Sequence, residues 1–241
     1  MRKVTLSFLL IMLSFPSWSA DFETGLTAAQ NGDFATALRE WTPLAEQGNA
    51  SAQFNIAVMH HQGRGVPQNY DDAAKWYRLA AEQGHSNAQF QLGYFYTVGD
   101  GVPQSYESAA KWYKLAAEQG DPDAQYNLAI SYVLGRGVEQ NDKNALKWYK
   151  LAAEQGMSAA QYSLGYMYDT GVGVVQNYEI ALKWYKLAAY QGNADAQSNL
   201  GLMYAQGLGV LQDYIYAHMW LNIAASNGNA VARDNRKIVE N

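Results

Sequence analysis

Residues 88–120 read AQFQLGYFYTVGDGVPQSYESAAKWYKLAAEQG, and the stretch returns along the chain with a period of 36 residues. Its tryptophan recurs as Trp76, Trp112, Trp148, Trp184 and Trp220, and its last glycine as Gly48, Gly84, Gly120, Gly156, Gly192 and Gly228. The opening Ala-Gln pair recurs at Ala52, Ala88, Ala124, Ala160 and Ala196, and Gly-x-Gly-Val at Gly63, Gly99, Gly135, Gly171 and Gly207. A fixed period of roughly 20–50 residues is the signature of stacked repeats, each a small unit that cannot bury its apolar face alone.

Each unit reads as two helices. The first starts near the Ala-Gln pair, carries Leu92 and Tyr96 at i, i+4 spacing, and stops at Gly-x-Gly, where positive φ is cheap. Pro67 and Pro103 follow and cannot continue it. The second runs from about Asp71 to Gln83, with Ala73, Trp76, Leu79, Ala80 and Gln83 expected along one stripe, and Gly84 closes it. Each Trp is expected to fill the gap between stacked pairs. The predicted fold is all-α: a right-handed α-solenoid of tandem 36-residue helix-turn-helix repeats, a tetratricopeptide-like (TPR-like) superhelix.

In this phase the chain divides into a leader (1–19), a degenerate first unit (20–48), five full units (49–84, 85–120, 121–156, 157–192, 193–228) and a capping helix (229–241). The first unit is recognisable from Asp33-Phe34 through Trp41 to Glu46-Gln47-Gly48. Trp41 stands one place out of phase with the other tryptophans, and Pro43 is predicted to bend or break that unit's second helix. At the far end Arg236 and Lys237 fall where earlier units have Leu200 and Gly201, so no further unit is expected to stack there.

The leader has the build of a secretory signal peptide. Arg2 and Lys3 precede Val4–Phe15, a mostly apolar run of twelve residues that is too short to anchor across a bilayer, and Pro16 and small residues follow it. Cleavage after Ser19 places Ser17 and Ser19 at the two positions that must be small; cleavage after Ala20 would place Trp18 at the −3 position. The chain has no cysteine, which removes disulfides, thiolate metal sites, cysteine nucleophiles and a lipidated cysteine behind the leader. The 17 basic and 22 acidic residues give a net charge of −5, and removal of Arg2 and Lys3 takes it to −7. No basic stripe is visible, so nucleic acid is not an expected partner.

Ala-Gln-x-x-Leu-Gly-x-x-Tyr, Gly-x-Gly-Val-x-Gln and Ala-x-Lys-Trp-Tyr-x-Leu-Ala-Ala-Glu-Gln-Gly all stand in Ala88–Gly120. Over residues 30–241 the chain resembles the Sel-one-like repeat family, a branch of the tetratricopeptide-type helical repeats. Ala217-His218-Met219-Trp220-Leu221-Asn222, with Ala232-Arg233, looks like that family's usual final unit. The resemblance implies an adaptor, in bacteria often an exported one. A cysteine-rich exported branch is associated with β-lactam binding, and the absence of its disulfide pairs here argues against that branch.

Little in the chain points to chemistry. His60 and His61 are neighbours on a helix and project about 100° apart, so they cannot chelate one ion together. The Gly-x-Gly-Val segments lack a following Lys-Ser/Thr and a preceding strand, and read as turns rather than phosphate cradles. No Ser sits on a nucleophile turn. Pairs such as Lys114 and Glu118 are i, i+4 ion pairs worth a few tenths of a kcal/mol. Neither a cofactor nor a metal is expected.

The first helices vary more between units. Opposite the seam formed by Ala88, Leu92, Gly93 and Tyr96 stand Phe90 and Tyr94, with Phe54, Val58, Tyr126, Ile130, Tyr162, Tyr166 and Leu202 in corresponding places. His61, Thr97 and Asp169 border this row and could give polar selectivity. In the tetratricopeptide arrangement that side lines the concave surface, so the row is either stacking core or a groove for a peptide or protein edge. Exposed aromatic surface is a usual basis of interface hot spots. The sequence thus points to a periplasmic or secreted binding module that engages a protein or peptide. A structural spacer without a ligand and a cell-envelope hydrolase are the competing readings.

The leader yields the first test. Edman sequencing of exported protein is expected to begin at Ala20 or Asp21; material that still begins at Met1 would refute the signal-peptide reading.

Overall fold

The structure, a computed structural model, describes residues 20–235. The leader and the Arg236–Lys237 end of the cap lie outside them. Along the described residues run thirteen helices and no strand. Helices α1 (Phe22–Gln30) and α2 (Phe34–Glu46) form the first pair. They are followed by α3 (Ala50–Gln62) and α4 (Tyr70–Glu82), α5 (Ser86–Val98) and α6 (Tyr106–Glu118), and α7 (Pro122–Leu134) and α8 (Asp142–Glu154). Then come α9 (Ser158–Thr170) and α10 (Tyr178–Tyr190), α11 (Ala194–Gln206) and α12 (Tyr214–Ser226), and a short α13 (Ala230–Asn235). Each helix packs on the next along the chain, within a unit and then across to the following one, as in an α-solenoid.

The repeated turn residues are explained by what they touch. Gly99 takes φ +89°, its N–H reaches the Phe95 carbonyl at 2.7 Å, and α5 ends there. Gly101, at φ +63°, lies so close to the Tyr70 carbonyl, at the start of the previous unit's second helix, that a Cβ would overlap it. The first glycine of the motif stops a helix, and the second lets two units touch. Gln104 Nε2 donates to the Thr97 carbonyl at 2.8 Å, as Gln68 does to His61, Gln176 to Asp169 and Gln212 to Ala205, so this glutamine caps the end of its own first helix. Second helices start on side-chain caps, among them Asn69, Ser105, Asn141 and Asn177.

The second helices are rotated from the stripe expected above. Their buried face is centred on Ala73, Tyr77, Ala80 and Ala81, leaving Leu79 exposed and Trp76 half-buried. Two small alanines side by side admit the neighbouring helix, which swings the stripe toward position 77 and moves the Trp to its edge. The ring that fills the gap between helices is therefore the following tyrosine: Tyr77, Tyr113, Tyr149 and Tyr185 are all buried. Trp148 and Trp220 are also buried, but Trp112 and Trp184 only partly. Trp41 stands 36 residues before Tyr77 and is 3% exposed, so it is in phase after all, with the core ring rather than with the tryptophans. Helix α2 also continues through Pro43 without a break. The proline lies in the last turn, where its missing N–H affects one bond, and Gln47 N still donates to the Pro43 carbonyl.

The units are joined by a buried glutamine that belongs to the Ala-Gln pair. Gln53 Nε2 donates to the Ala45 carbonyl at 3.0 Å, and its Oε1 accepts from Gln83 Nε2 at 2.7 Å. One amide thus ties α2, α3 and α4. The arrangement recurs at Gln89, Gln125, Gln161 and Gln197, where the outer donors are Gln119, Gln155, Gln191 and Asn227. Gln125→Leu removes two hydrogen bonds, although the Ala117 carbonyl keeps the Gly120 N–H and Gln155 Nε2 keeps the Gly120 carbonyl; at about 0.5–1.5 kcal/mol per bond the loss should be about 1–3 kcal/mol. Replacement of the exposed Glu139 by Ala should stay within about 0.5 kcal/mol. Urea denaturation of the two variants tests this, and equal midpoints would show that the latch carries no stability.

Candidate functional site

The stripe facing away from the stacking seam repeats at i, i+3, i+7 and i+10 of each first helix. It holds Ser51, Phe54, Val58 and His61 on α3, and Asn87, Phe90, Tyr94 and Thr97 on α5. On α7 the set is Asp123, Tyr126, Ile130 and Val133; on α9 it is Ala159, Tyr162, Tyr166 and Asp169; on α11 it is Asp195, Ser198, Leu202 and Ala205. The aromatic row divides in two. Phe54, Phe90, Tyr126 and Tyr162 are half-buried and lie against the core tyrosine of their own unit, with ring centroids 5.8, 5.9, 5.6 and 5.9 Å apart. Phe54 also stacks on His85. Val58, Ile130 and Leu202 are half-buried as well, whereas Tyr94 and Tyr166 are 42% and 48% exposed.

The polar residues expected to border the row are engaged inward. His61 Nδ1 lies 3.3 Å from Tyr77 Oη, Thr97 Oγ1 lies 3.0 Å from Tyr113 Oη, and Tyr185 Oη donates to Asp169 Oδ2 at 3.2 Å. Each gives a buried tyrosine hydroxyl the partner it needs. Burial pushes the phenols of Tyr77 and Tyr113 up, and that of Tyr185 up further beside the Asp169 carboxylate. The Asp169 carboxyl is itself raised by burial, against the lowering effect of the Tyr185 hydrogen bond. In the last unit both members change together, to Ala205 and Leu221.

The third of the five full units, unit three (121–156), breaks the pairing. It keeps Tyr149 but has Val133 in the polar position. Burial pushes the Tyr149 phenol up to about 12, with Tyr126 adding to the rise and a Ser163 hydrogen bond opposing it. At this break the stripe opens into a pocket of about 260 Å³, lined by Val133, Tyr149, Tyr162, Ser163, Tyr166, Met167 and Val172. It joins units three and four and brings two residues of the predicted row, Tyr162 and Tyr166, to one place. Roomier hollows lie elsewhere, one of about 600 Å³ beside Lys75 and Arg78 and one of about 470 Å³ beside α1, but charged side chains and helix caps line them. Sequence reasoning missed Val133, Tyr149, Ser163, Met167 and Val172. The signal was the lone apolar residue in the series His61, Thr97, Val133, Asp169 ahead of a retained tyrosine.

The model of the Sel1 repeat matches residues 50–85, 86–121, 122–157, 158–193 and 194–229. A Sel1 repeat protein from Oxalobacter formigenes, known as a crystal structure, is 35% identical with a TM-score of 0.84, over 89% of this chain and 88% of that one. The protective antigen c5321 of uropathogenic Escherichia coli strains, which displays an SLR fold, is 36% identical with a TM-score of 0.84 over 89% of this chain. The alignment covers 47% of that antigen, so this chain spans about half its length. The immunity protein PA5088 of Pseudomonas aeruginosa, 19% identical with a TM-score of 0.51 over 86% of this chain and 82% of its own, shares the fold alone. No curated protein matches the chain.

The raised Asp169 carboxyl sets a pH test. Its folded form takes up a proton more readily than its unfolded form, so acidification through the folded value favours folding at this group. Asp169→Asn, which keeps an acceptor for Tyr185, should therefore be at least as stable as the parent near pH 7. That advantage should narrow as the pH falls through the folded value and close below about 3.9, the ordinary carboxyl value, where both proteins carry an uncharged group. Paired denaturation curves check it, since the other carboxylates cancel in the difference; an advantage that widened in acid would contradict the raised value.

Proposed function

This chain belongs to the Sel1 repeat family, whose members are in general protein-interaction modules built on non-catalytic scaffolds, and from that premise we propose an exported adaptor that holds a peptide or protein edge. The partner lies on the first-helix face, the concave side in a tetratricopeptide-type arrangement. One observation carries the reading: Tyr94 and Tyr166 stand out of the core on a face whose other rings are packed, and Tyr166 rims the pocket between units three and four. Neither ring is needed to fill the repeat, because equivalent places hold Val58, Ile130 and Leu202. Tyrosine supplies large contact area at low entropic cost, which suits a binding surface better than a spacer.

Export rests on the leader, with two cations before an apolar run and small residues after it. No helix among the described residues is long and apolar enough to cross a membrane.

Selection of a displayed random-peptide library on the immobilised protein tests the adaptor reading. Peptides should be enriched on the parent and lost on the Tyr94→Ala/Tyr166→Ala double variant with its helical spectrum unchanged. Hot-spot truncations of this kind typically cost on the order of 1–2 kcal/mol each, roughly five- to thirtyfold in affinity. A spacer would enrich no peptide, or the same peptides on both proteins.

A further inference from the structure

The charges of the solenoid are segregated. Helices α1, α3, α5, α7, α9 and α11 contain neither Lys nor Arg, and the charged side chains they do carry are Glu23, Asp123, Asp169 and Asp195. Every lysine among the described residues lies on α4, α6, α8 or α10, where acidic residues accompany it. Cations meet the first helices at Tyr96 and Tyr204, which are not stripe residues, and Arg64 shares a hollow with Val58 on α3, two units before the pocket. Arg78 Nη2 donates to Tyr96 Oη at 2.8 Å, and Lys186 sits 5.5 Å from the Tyr204 ring.

The acidic groups fall on the tyrosine stripe itself. Asp123 stands three residues before Tyr126, Asp169 three after Tyr166, and Asp195 three before Ser198 on the adjoining unit. Two of them act on one wall of the pocket: Asp169 lies on the same helix as Tyr162 and Tyr166, and after burial the charges of Asp195 and Asp169 help push the Tyr162 phenol up. Asp123 and Asp195 are exposed and keep most of their hydration, so they attract at range without a large desolvation cost. The exposed Tyr166 ring offers its face to a cation. At about 260 Å³ the pocket falls below the roughly 300–1,000 Å³ usual for drug-sized ligands and suits a single apolar side chain.

We propose that the occupant of this face is a cationic peptide segment, bearing Lys or Arg, that seats one apolar side chain in the pocket between the third and fourth units. The inference rests on the peptide-holding reading above and adds the chemistry of the partner. An anionic segment would meet the exposed Asp123 and Asp195 without compensation, and a neutral one would gain nothing from them.

The experiment is fluorescence anisotropy with labelled peptides of about ten residues, the extended type that helical grooves hold, carrying a central Leu flanked by Lys, Ser or Glu. The Lys-flanked peptide should bind about tenfold or more tighter than the Ser-flanked one, and the Glu-flanked one least. The preference should shrink as salt rises from about 50 to about 500 mM. Asp123→Asn/Asp195→Asn should weaken the Lys-flanked peptide severalfold, while the same charge change on the outer helices, Glu107→Gln/Glu179→Gln, should not. Changing the central Leu to Gly should weaken binding to the parent but not to Val133→Phe, whose pocket is filled. Equal binding of the three peptides, or equal loss in the two double variants, overturns the inference. If peptides without basic residues are nevertheless selected in a Tyr166-dependent way, the holding function stands and only the cationic assignment fails. If no peptide depends on Tyr94 and Tyr166, both fail.

Discussion

The solenoid depends on one buried amide per unit. A helix end leaves carbonyls unsatisfied, and a stack of helix pairs buries such ends against the next unit, where water cannot reach them. Gln53, Gln89, Gln125, Gln161 and Gln197 give a second donor to a last-turn carbonyl of the preceding second helix, which already accepts the closing glycine's N–H, and accept from the end of the following one. Among side chains, Asn and Gln carry a strong donor and a strong acceptor on one planar group; a carboxylate lacks the donor and a lysine the acceptor. The amide therefore holds the end of one second helix against both helices of the next unit.

With the latch, the turn glycines and the alanine face all held constant, few positions are left to vary, and variation concentrates on the first-helix stripe. The stripe also has a rule of its own. A buried tyrosine hydroxyl wants a polar partner sixteen residues earlier, as in His61 with Tyr77, Thr97 with Tyr113 and Asp169 with Tyr185. The last unit obeys the rule by losing both groups. The third full unit keeps the hydroxyl of Tyr149 but has Val133 in the partner's place, so the hydroxyl turns to Ser163 instead, and that departure coincides with the pocket. A repeat protein can create a distinct site by breaking its own pattern once, without disturbing the frame on either side.

How much of this could be read beforehand depended on the kind of information. Period, helix pairing and turn positions were legible because they rest on glycine, proline and spacing, which act locally. The rotation of the second helix was not. Trp76 is larger than Tyr77 and dominates the eye, yet the alanines at 80 and 81 decide which ring turns inward. The same misreading put Trp41 out of phase, although it occupies the core-ring place. On the first helices the row does fall along one stripe, but the bordering His61, Thr97 and Asp169 looked free to meet a ligand. Their hydroxyl partners sit on another helix, and helix-to-helix contacts are invisible to periodicity.

The segregation of charge has a similar structural origin. The second helices meet solvent along one side, and the repeated Lys and Glu there form modest pairs, such as Lys114 with Glu118 and Lys150 with Glu154 at 3.8 Å, that keep the array soluble. The first helices are buried on the seam side and present a narrow stripe. A lysine on that stripe would sit among rings already packed against the core, so cations are expensive there while short aspartates at helix starts are favoured by the helix dipole. Asp123 and Asp195 occupy such first-turn positions. A face that is aromatic and acidic is thus close to a default of the frame, and what makes it selective is where the frame departs from itself: two exposed tyrosines and one unmatched valine.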